Sequence, residues 1–295
     1  MRVLVFGTAG MLGHKIVQTL GNDHEVWGTV RNDASQITRF GFVDDSRIVP
    51  NVDVSNEGSV ESTLRDVLPD VVVNAVGIVK QASNSNDVIS ALTVNSIFPH
   101  RLARLGQELG FRLITISTDC VFDGIRGGYT ETDEPNARDL YGISKALGEI
   151  ISDNVLTIRT SIIGRELATS QGLVEWFFAN SGSRVSGYAR AVFSGFPTIV
   201  FADIIRDLIV KHPELNGLYH VSSAPIDKFR LLELIRDKFD LPVSIERTEN
   251  VVIDRSLNSD RFRAATSYAP LSWEKMIDLM ASDPTPYKEW RRSNH

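Results

Sequence analysis

Arg2-Val3-Leu4-Val5-Phe6-Gly7-Thr8-Ala9-Gly10-Met11-Leu12-Gly13 opens with branched apolar residues and breaks at three evenly spaced glycines. The apolar run suits a short buried strand. His14 to Leu20 then carries apolar side chains at helical spacing. A strand, a glycine turn and a helix in that order form the phosphate-binding unit of dinucleotide folds. Gly7 permits the tight turn. Gly10 lets backbone N–H groups approach a pyrophosphate, and Gly13 lets the helix lie close to the strand. The start of the helix turns its partial positive charge on the phosphates. Thr8, Met11 and Leu12, between the glycines, complete this cofactor-binding stretch. The spacing is GxxGxxG, not the GxGxxG of many dehydrogenases, so its weight comes from its place at the first strand–helix junction.

The alternation continues outward. Glu25 to Val30 reads as a second strand, and Arg31 stands at its end. A carboxylate there would take the ribose 2′-hydroxyl of NAD. An arginine instead matches the oxygens of a 2′-phosphate, which favours NADP(H) over NAD(H). Asp33 takes the acidic role if the strand register shifts, and a solvated arginine is the plainer reading of Arg31. Asp53-Val54 falls at a further strand end, with Ser55 as N-cap of a helix to about Leu68. Val71 to Gly77 is a continuous apolar run that suits a central parallel strand. Its small tip, Ala75-Val76-Gly77, leaves room for a ribose or adenine. A helical pattern from about Asp87 to Leu109 contains Asn95, either a cofactor support or a satisfied buried amide. Arg112 to Ser117 is the next strand. The β-α-β-α-β-α-β-α-β order specifies an α/β fold, a Rossmann-type doubly wound parallel sheet with ligands beyond the carboxyl ends of the strands.

At the end of that last strand stand Ser117, Thr118, Asp119 and Cys120, and about one βα unit later come Tyr141 and Lys145. Residues four apart share a helix face. A hydroxyl, a phenol and an ammonium group are therefore candidates to meet on one substrate. A phenol with an ordinary pKa of about 10 is a poor acid–base group near neutrality unless a cation stabilises its phenolate.

The formal charge of −6 argues against a nucleic-acid surface and against an anionic membrane surface. No apolar run reaches membrane-spanning length. One cysteine allows no intrachain disulfide. Together with the lack of a basic-then-apolar leader, this points to the cytoplasm. Six histidines and one cysteine without HxxxH or CxxC spacing give no reason to expect a metal at His14 or His220. The homodimer stays open as an assembly.

The second half begins near Gly164. Gly172 to Phe178 reads as an amphipathic helix. Gly187 to Thr198 mixes aromatics, Arg190 and turn residues in a way that suits a nucleotide-sugar cleft. Arg190 is a candidate for substrate phosphate, with an exposed surface arginine as the alternative, while Trp176, Tyr188 and Phe193 read as core. Phe201 to Lys211 reads as a helix returning to the first lobe, Leu218 to Val221 as a strand, and Leu231 to Phe239 and Trp273 to Met280 as helices. The division is residues 1–163, with 198–212 packing back on them, and a smaller C-terminal substrate-binding lobe over 164–295. The polar end, Lys288 to His295, is expected to fray.

GTAGMLG, NAVG, STDCVFDG and YGISK together resemble the extended short-chain dehydrogenase/reductases. Within them the chain is similar to the dTDP-4-dehydrorhamnose reductases and related nucleotide-sugar 4-ketoreductases, most specifically over residues 1–165. Tyr129-Thr130-Glu131, Asp133-Glu134-Pro135 and Arg159-Thr160-Ser161 add to this, and Asp254 to Ser259 is a loose echo of a substrate-lobe segment. The resemblance implies NADPH-dependent reduction of a 4-keto sugar nucleotide in the synthesis of cell-surface polysaccharide precursors. It assigns Tyr141 as proton donor, Lys145 as ribose ligand and phenol activator, Thr118 as hydrogen-bond donor to the carbonyl oxygen, and Asp119 as a neighbour of the sugar. Related dehydratases have Asp-Glu after the threonine; Asp119-Cys120 lacks the glutamate, so elimination is not expected. Epimerases hold the nicotinamide through two hydride transfers, and their segment looks different. Relatives that bind the nucleotide and catalyse nothing are the other class. Family reductases usually have tyrosine where Cys120 stands and a large aromatic where Ile162 stands. Both are smaller here, which suggests a wider sugar pocket. Cys120 reads as a packed small residue, since no histidine or lysine flanks it.

Overall fold

Val3, Leu4, Val5 and Phe6 have no accessible surface. A strand covered on both faces belongs at the centre of a parallel sheet, and the computed structural model, which describes residues 1–80 and 85–292, places it there. The strands are β1 (Arg2–Phe6), β2 (Glu25–Thr29), β3 (Ile48–Val49), β4 (Val71–Asn74), β5 (Arg112–Thr118), β6 (Val155–Thr160), β7 (Ile162–Ile163), β8 (Arg184–Phe193), β9 (Phe196–Pro197), β10 (Gly217–His220), β11 (Ile226–Asp227) and β12 (Ser244–Asp254). The helices are α1 (Gly13–Leu20), α2 (Ser35–Thr38), α3 (Glu57–Val67), α4 (Val88–Leu92), α5 (Phe98–Leu109), α6 (Leu140–Leu147), α7 (Leu173–Ala179), α8 (Thr198–Val210), α9 (Lys228–Phe239), α10 (Asp260–Thr266), α11 (Trp273–Ala281) and α12 (Tyr287–Arg292).

Seven strands form one sheet in the order β10-β6-β5-β4-β1-β2-β3. β1 pairs in parallel with β2 on one side and β4 on the other, β2 with β3, and β4 with β5. This is the Rossmann-type doubly wound sheet. The direction of winding reverses between β1 and β4, which is where such sheets open a crevice for a ligand. One face is filled by Leu4, Phe6, Val72, Leu113 and Val155 with Leu64 of α3 and Phe98 and Leu102 of α5. Phe6 and Phe98 meet edge to face, 5.4 Å apart. On α1, Ile16, Val17 and Leu20 are buried while Gln18 is half-exposed, the one-sided pattern that seats a helix on a sheet.

The chain divides into two compact units, and the division is interleaved. The first holds residues 1–117, 139–158 and 202–218; the second holds 118–138, 159–201 and 219–295. The sequence reading gave the first lobe residues 1–163 with 198–212 packed back on them; the first compact unit holds 202–218, and 118–138 lies in the second. Within the first unit, Arg112 donates to the carbonyls of Leu208 and Leu215 at 2.9 and 2.8 Å, tying the C-terminal part of α8 to the start of β5. Within the second unit, β8 is the middle strand between β11 and β12, with α9 packed on it and α11 on α9.

Several local readings change. Asn56, not Ser55, caps α3 by accepting the Ser59 N–H, because Ser55 is held by Asp53 instead. The helical pattern from Asp87 to Leu109 is three pieces: α4, a π-helical turn over Thr93–Ile97, and α5. Gly187 to Phe193 lies in an extended strand, since alternate residues Val185, Gly187, Ala191 and Phe193 supply a buried face. β12 was missed because its sequence, SIERTENVVID, shows no apolar alternation and most of the strand is exposed. Lys288 to Arg292 does not fray: it lies in α12, where Arg291 donates to the carbonyls of Glu166 and Thr169 at 3.0 and 2.6 Å. Ser293 to His295 lie outside the described residues.

Gly148, just past α6, marks the tightest backbone approach in the first unit. A Cβ there would stand 1.9 Å from the Asn95 carbonyl oxygen. Gly148→Ala is expected to lower unfolding stability by about 1–3 kcal/mol. Gly58, whose added Cβ meets nothing nearer than 3.4 Å, is expected to gain up to about 1 kcal/mol as Gly58→Ala in its helix. Urea unfolding midpoints of the two variants test this; equal midpoints would contradict the packing argument.

Candidate active site

Two of the three glycines, Gly7 and Gly13, are steric necessities. Gly7 has φ +88°, and a Cβ on it would lie 3.0 Å from Val76 Cγ2 and 3.2 Å from the Ala75 carbonyl. A Cβ on Gly13 would lie 2.1 Å from the Gly7 oxygen. The turn therefore brings the start of α1 against the tips of β1 and β4. No side chain caps α1, and its first turn carries no acidic residue, so its partial positive charge is left for an anion. The Gly10 N–H is already used, donating to the Gly7 carbonyl at 2.9 Å. Thr8 is wholly buried and structural: its N–H donates to the Thr29 carbonyl and its hydroxyl to the Val5 carbonyl, both at 3.2 Å. Met11 is half-buried and Leu12 buried. Gly28 went unnoticed in the sequence; an added Cβ would stand 2.5 Å from Thr8 Oγ1.

Arg31 stands two residues beyond β2 with its side chain 73% exposed, and its guanidinium lies 3.3 Å from Asp53 Oδ2. Asp53 also accepts from the Ser55 N–H and hydroxyl at 2.9 and 2.7 Å, and these bonds hold its carboxyl below the usual range, with a smaller effect from Arg31. Asp33 is committed to the Ser35 N–H at 2.8 Å. An exposed guanidinium at this strand end fits a phosphate better than a ribose hydroxyl. Val54, next to Asp53, is buried.

At the β4 tip, Asn74 accepts from the Val76 N–H at 3.1 Å, shaping Ala75-Val76-Gly77. Asn95 sits in the π-helical turn, 1% exposed, and holds both backbone groups of Ile78: its Oδ1 accepts the N–H at 2.9 Å and its Nδ2 donates to the carbonyl at 3.0 Å. Nδ2 also donates to the Ser144 hydroxyl at 3.0 Å. Asn95 is thus a satisfied amide that ties the β4 tip to α6. The π turn aims it there, a common use of such turns. Ser96 and Gly148 complete the joint, with the Ser96 hydroxyl donating to the Ser144 carbonyl at 2.7 Å.

Asp139 caps α6 by accepting the Gly142 N–H at 3.1 Å. Tyr141 and Lys145 follow on one face. Lys145 is 7% exposed and donates to the Ile116 carbonyl of β5 at 2.7 Å. Burial lowers its pKa to about 8, with Glu149 acting in the opposite direction. Glu149 accepts the Ser117 hydroxyl at 2.7 Å. The sequence reading missed Lys80, whose ammonium is 2.9 Å from Asp139 Oδ2 and 5.9 Å from the centroid of the Tyr141 ring. A lone cation three residues past a βα tip was the available signal.

In the second unit, Thr118 is buried; its hydroxyl donates to Asp119 Oδ1 and accepts the Cys120 N–H, both at 3.1 Å. Asp119 is 6% exposed, and desolvation raises its pKa against the pull of Cys120, Thr118, Arg255 and Ser161. Cys120 is half-buried. Ile162 is half-buried in β7, beside Phe196 of β9. Arg190 is an exposed residue of β8, paired with Val252 of β12. His220 is completely buried; its Nδ1 bonds the Tyr129 carbonyl at 3.0 Å and its Nε2 lies 3.1 Å from an Arg159 guanidinium nitrogen. Its backbone N–H donates to Glu131 at 2.8 Å. The Tyr129-Thr130-Glu131 segment and the Arg159-Thr160-Ser161 motif are thereby joined through one neutral imidazole. Among the described residues no group of three or more metal-ligating side chains occurs, and no helix is long and apolar enough to cross a membrane. A shallow groove lined by Ser96, Ile97, His100, Arg101, Arg104 and Leu147 contains none of the candidate site residues.

The RmlD substrate binding domain family matches residues 1–290. The chain belongs to this family. It is 27% identical to the mouse (Mus musculus) methionine adenosyltransferase 2 subunit beta over 307 residues, 97% of this chain and 85% of that protein. It is 26% identical to the dTDP-4-dehydrorhamnose reductase of Aggregatibacter actinomycetemcomitans over 233 residues, 76% of this chain and 74% of that protein. Its structure is similar to that of a hypothetical dTDP-4-dehydrorhamnose reductase from Sulfolobus tokodaii, with TM-score 0.76 and 27% identity over 93% of this chain and 98% of that one. The extended short-chain reductase resemblance of the motifs is therefore that of the whole chain.

Burial, then Arg159, push the His220 pKa down to about 4, against hydrogen bonds that raise it. The unfolded chain binds the proton more readily, so the stability that neutral His220 confers is complete above about pH 6.5 and lost as pH falls towards 4. The span corresponds to roughly 3 kcal/mol. His220→Asn, which keeps a donor for Tyr129, is expected to flatten the fall in urea midpoint across that window. An unchanged slope would contradict the assignment.

Proposed function

We propose that this protein reduces the 4-keto group of a nucleotide-linked 6-deoxyhexose with NADPH, in the cytoplasm. The observation that carries the reading is the buried Lys145 ammonium, one turn from Tyr141 and anchored to the strand that ends at Thr118. Gly7, Gly10 and Gly13 with the uncapped start of α1 would take the pyrophosphate, Ala75 to Gly77 the adjoining ribose, and Arg31 with Asp53 the 2′-phosphate end. When bound there, the nicotinamide would supply hydride to the carbonyl carbon. Tyr141 Oη gives its proton to the carbonyl oxygen, leaving a phenolate. The Lys145 ammonium stabilises that phenolate, and at neutral pH it stays charged. Thr118 Oγ1 orients the ketone once its proton, which Asp119 accepts in the free protein, turns to the carbonyl oxygen.

Cys120 and Ile162 are proposed to widen the sugar pocket, which favours a bulkier sugar such as a UDP-linked 2-acetamido-2,6-dideoxy-4-ketohexose over the rhamnose precursor. Turnover on both substrates side by side decides this; a strong preference for dTDP-4-keto-rhamnose would overturn it. A second reading, a dinucleotide-binding subunit that serves another enzyme, is favoured by the likeness to methionine adenosyltransferase 2 subunit beta. The complete Thr118, Tyr141 and Lys145 set supports the reductase, since a binding subunit has no use for an activated phenol.

NADPH oxidation with a panel of 4-keto sugar nucleotides tests the proposal. Tyr141→Phe is expected to lower turnover by at least about 100-fold while NADPH binding persists. NADPH binding without turnover on any sugar would support the subunit reading. Arg31→Ala is expected to weaken NADPH relative to NADH by about tenfold; equal weakening of both would remove the 2′-phosphate role.

A further inference from the structure

Lys80 has no place in the reaction as just described, yet three contacts deliver it to Tyr141. Asn95 clamps both backbone groups of Ile78, two residues earlier, and bonds Ser144 on α6. Asp139, the N-cap of α6, holds the Lys80 ammonium at 2.9 Å. The ammonium then lies 5.9 Å from the Tyr141 ring centroid, within the range of a cation–π contact. We propose that Lys80 is a second cation serving Tyr141: held by Asp139 over the ring, it joins Lys145 in stabilising the phenolate left when the phenol gives up its proton. This rests on the role given to Tyr141 above and makes Lys80 a positioning residue that acts through it.

The electrostatics give the pair opposite signs. A cation attracts the ring face of a neutral phenol weakly and a phenolate strongly. The Asp139 carboxylate disfavours the phenolate, and Lys80 offsets it. The charged groups that the described contacts place beside Tyr141 and Lys145 include Lys80, Asp139 and Glu149. The π turn over Thr93–Ile97 and α4, both packed on α6, bring no titratable side chain, and Asp87 caps α4. Loss of Lys80 therefore removes a positive charge from beside the Tyr141 ring, and loss of the Asp139 charge removes a negative one. A contact that only held the loop in place would not move the phenol in two directions.

The test is the ultraviolet phenolate titration of Tyr141, read as the difference between each protein and its Tyr141→Phe partner. Lys80→Met is expected to raise the titration midpoint by about one pH unit and Asp139→Asn, which still caps the helix, to lower it by a similar amount. Lys80→Arg, which keeps the charge, is expected to stay near the parent value. The alkaline limit of 4-keto sugar reduction is expected to move with each. Midpoints that do not move, or that move the same way for Lys80→Met and Asp139→Asn, overturn the proposal. Lys80→Gln repeats the test should the methionine variant fold poorly. The expected phenolate shifts without turnover on any sugar would uphold Lys80 and overturn the reductase reading; turnover without the shifts would do the reverse.

Discussion

An ammonium group taken out of water needs oxygen atoms around it, and much of this site follows from that need at Lys145. Leaving a charge buried without partners costs far more than one helix of this length can recover. The Ile116 carbonyl receives the ammonium and Glu149 faces it, while Glu149 is itself held by Ser117. Both oxygen sources trace to β5. The buried charge thus fixes α6 against the strand that ends in Thr118, and with it the position of Tyr141. Burial also brings the Lys145 pKa down to about 8, which leaves the group cationic but poised.

The second constraint is backbone proximity. Gly13 meets the Gly7 carbonyl, Gly28 meets Thr8, and Gly148 meets the Asn95 carbonyl, all closer than a Cβ allows. These contacts draw α1, β2 and α6 in around the β1 and β4 tips. The winding reversal between those strands opens the crevice, and the glycines let the surrounding backbone line it. Asn95 belongs to the same design. Buried without those partners, its amide would be destabilising; with them it ties the loop beyond β4 to the helix that carries the phenol.

The Rossmann-type half was legible because its signals are local. Branched apolar runs, glycine turns and helical spacing repeat in order from Arg2 to Lys145. The glycine turn, Arg31 and Thr118 were visible at strand ends, and Tyr141 and Lys145 one helical turn apart. The inward turn of the Thr8 hydroxyl was not legible, because a hydroxyl in a glycine turn looks available until the packing shows its partner. β12 and α12 were missed for the opposite reason: polar stretches acquire order only through long-range partners, β8 for the first and the Glu166 to Ser170 segment for the second.

What the sequence determined by itself, then, was the α/β class, the glycine turn and the candidate reactive groups, because each depends on residue type and short spacing. What only the tertiary structure decided was which groups are spent on holding others. Asn95 on Ile78 and Ser144, His220 between Tyr129 and Arg159, and Lys80 between Asp139 and Tyr141 are pairings across tens of residues. Hydrogen bonds and charges act over a few ångströms, and sequence separation carries no record of that distance.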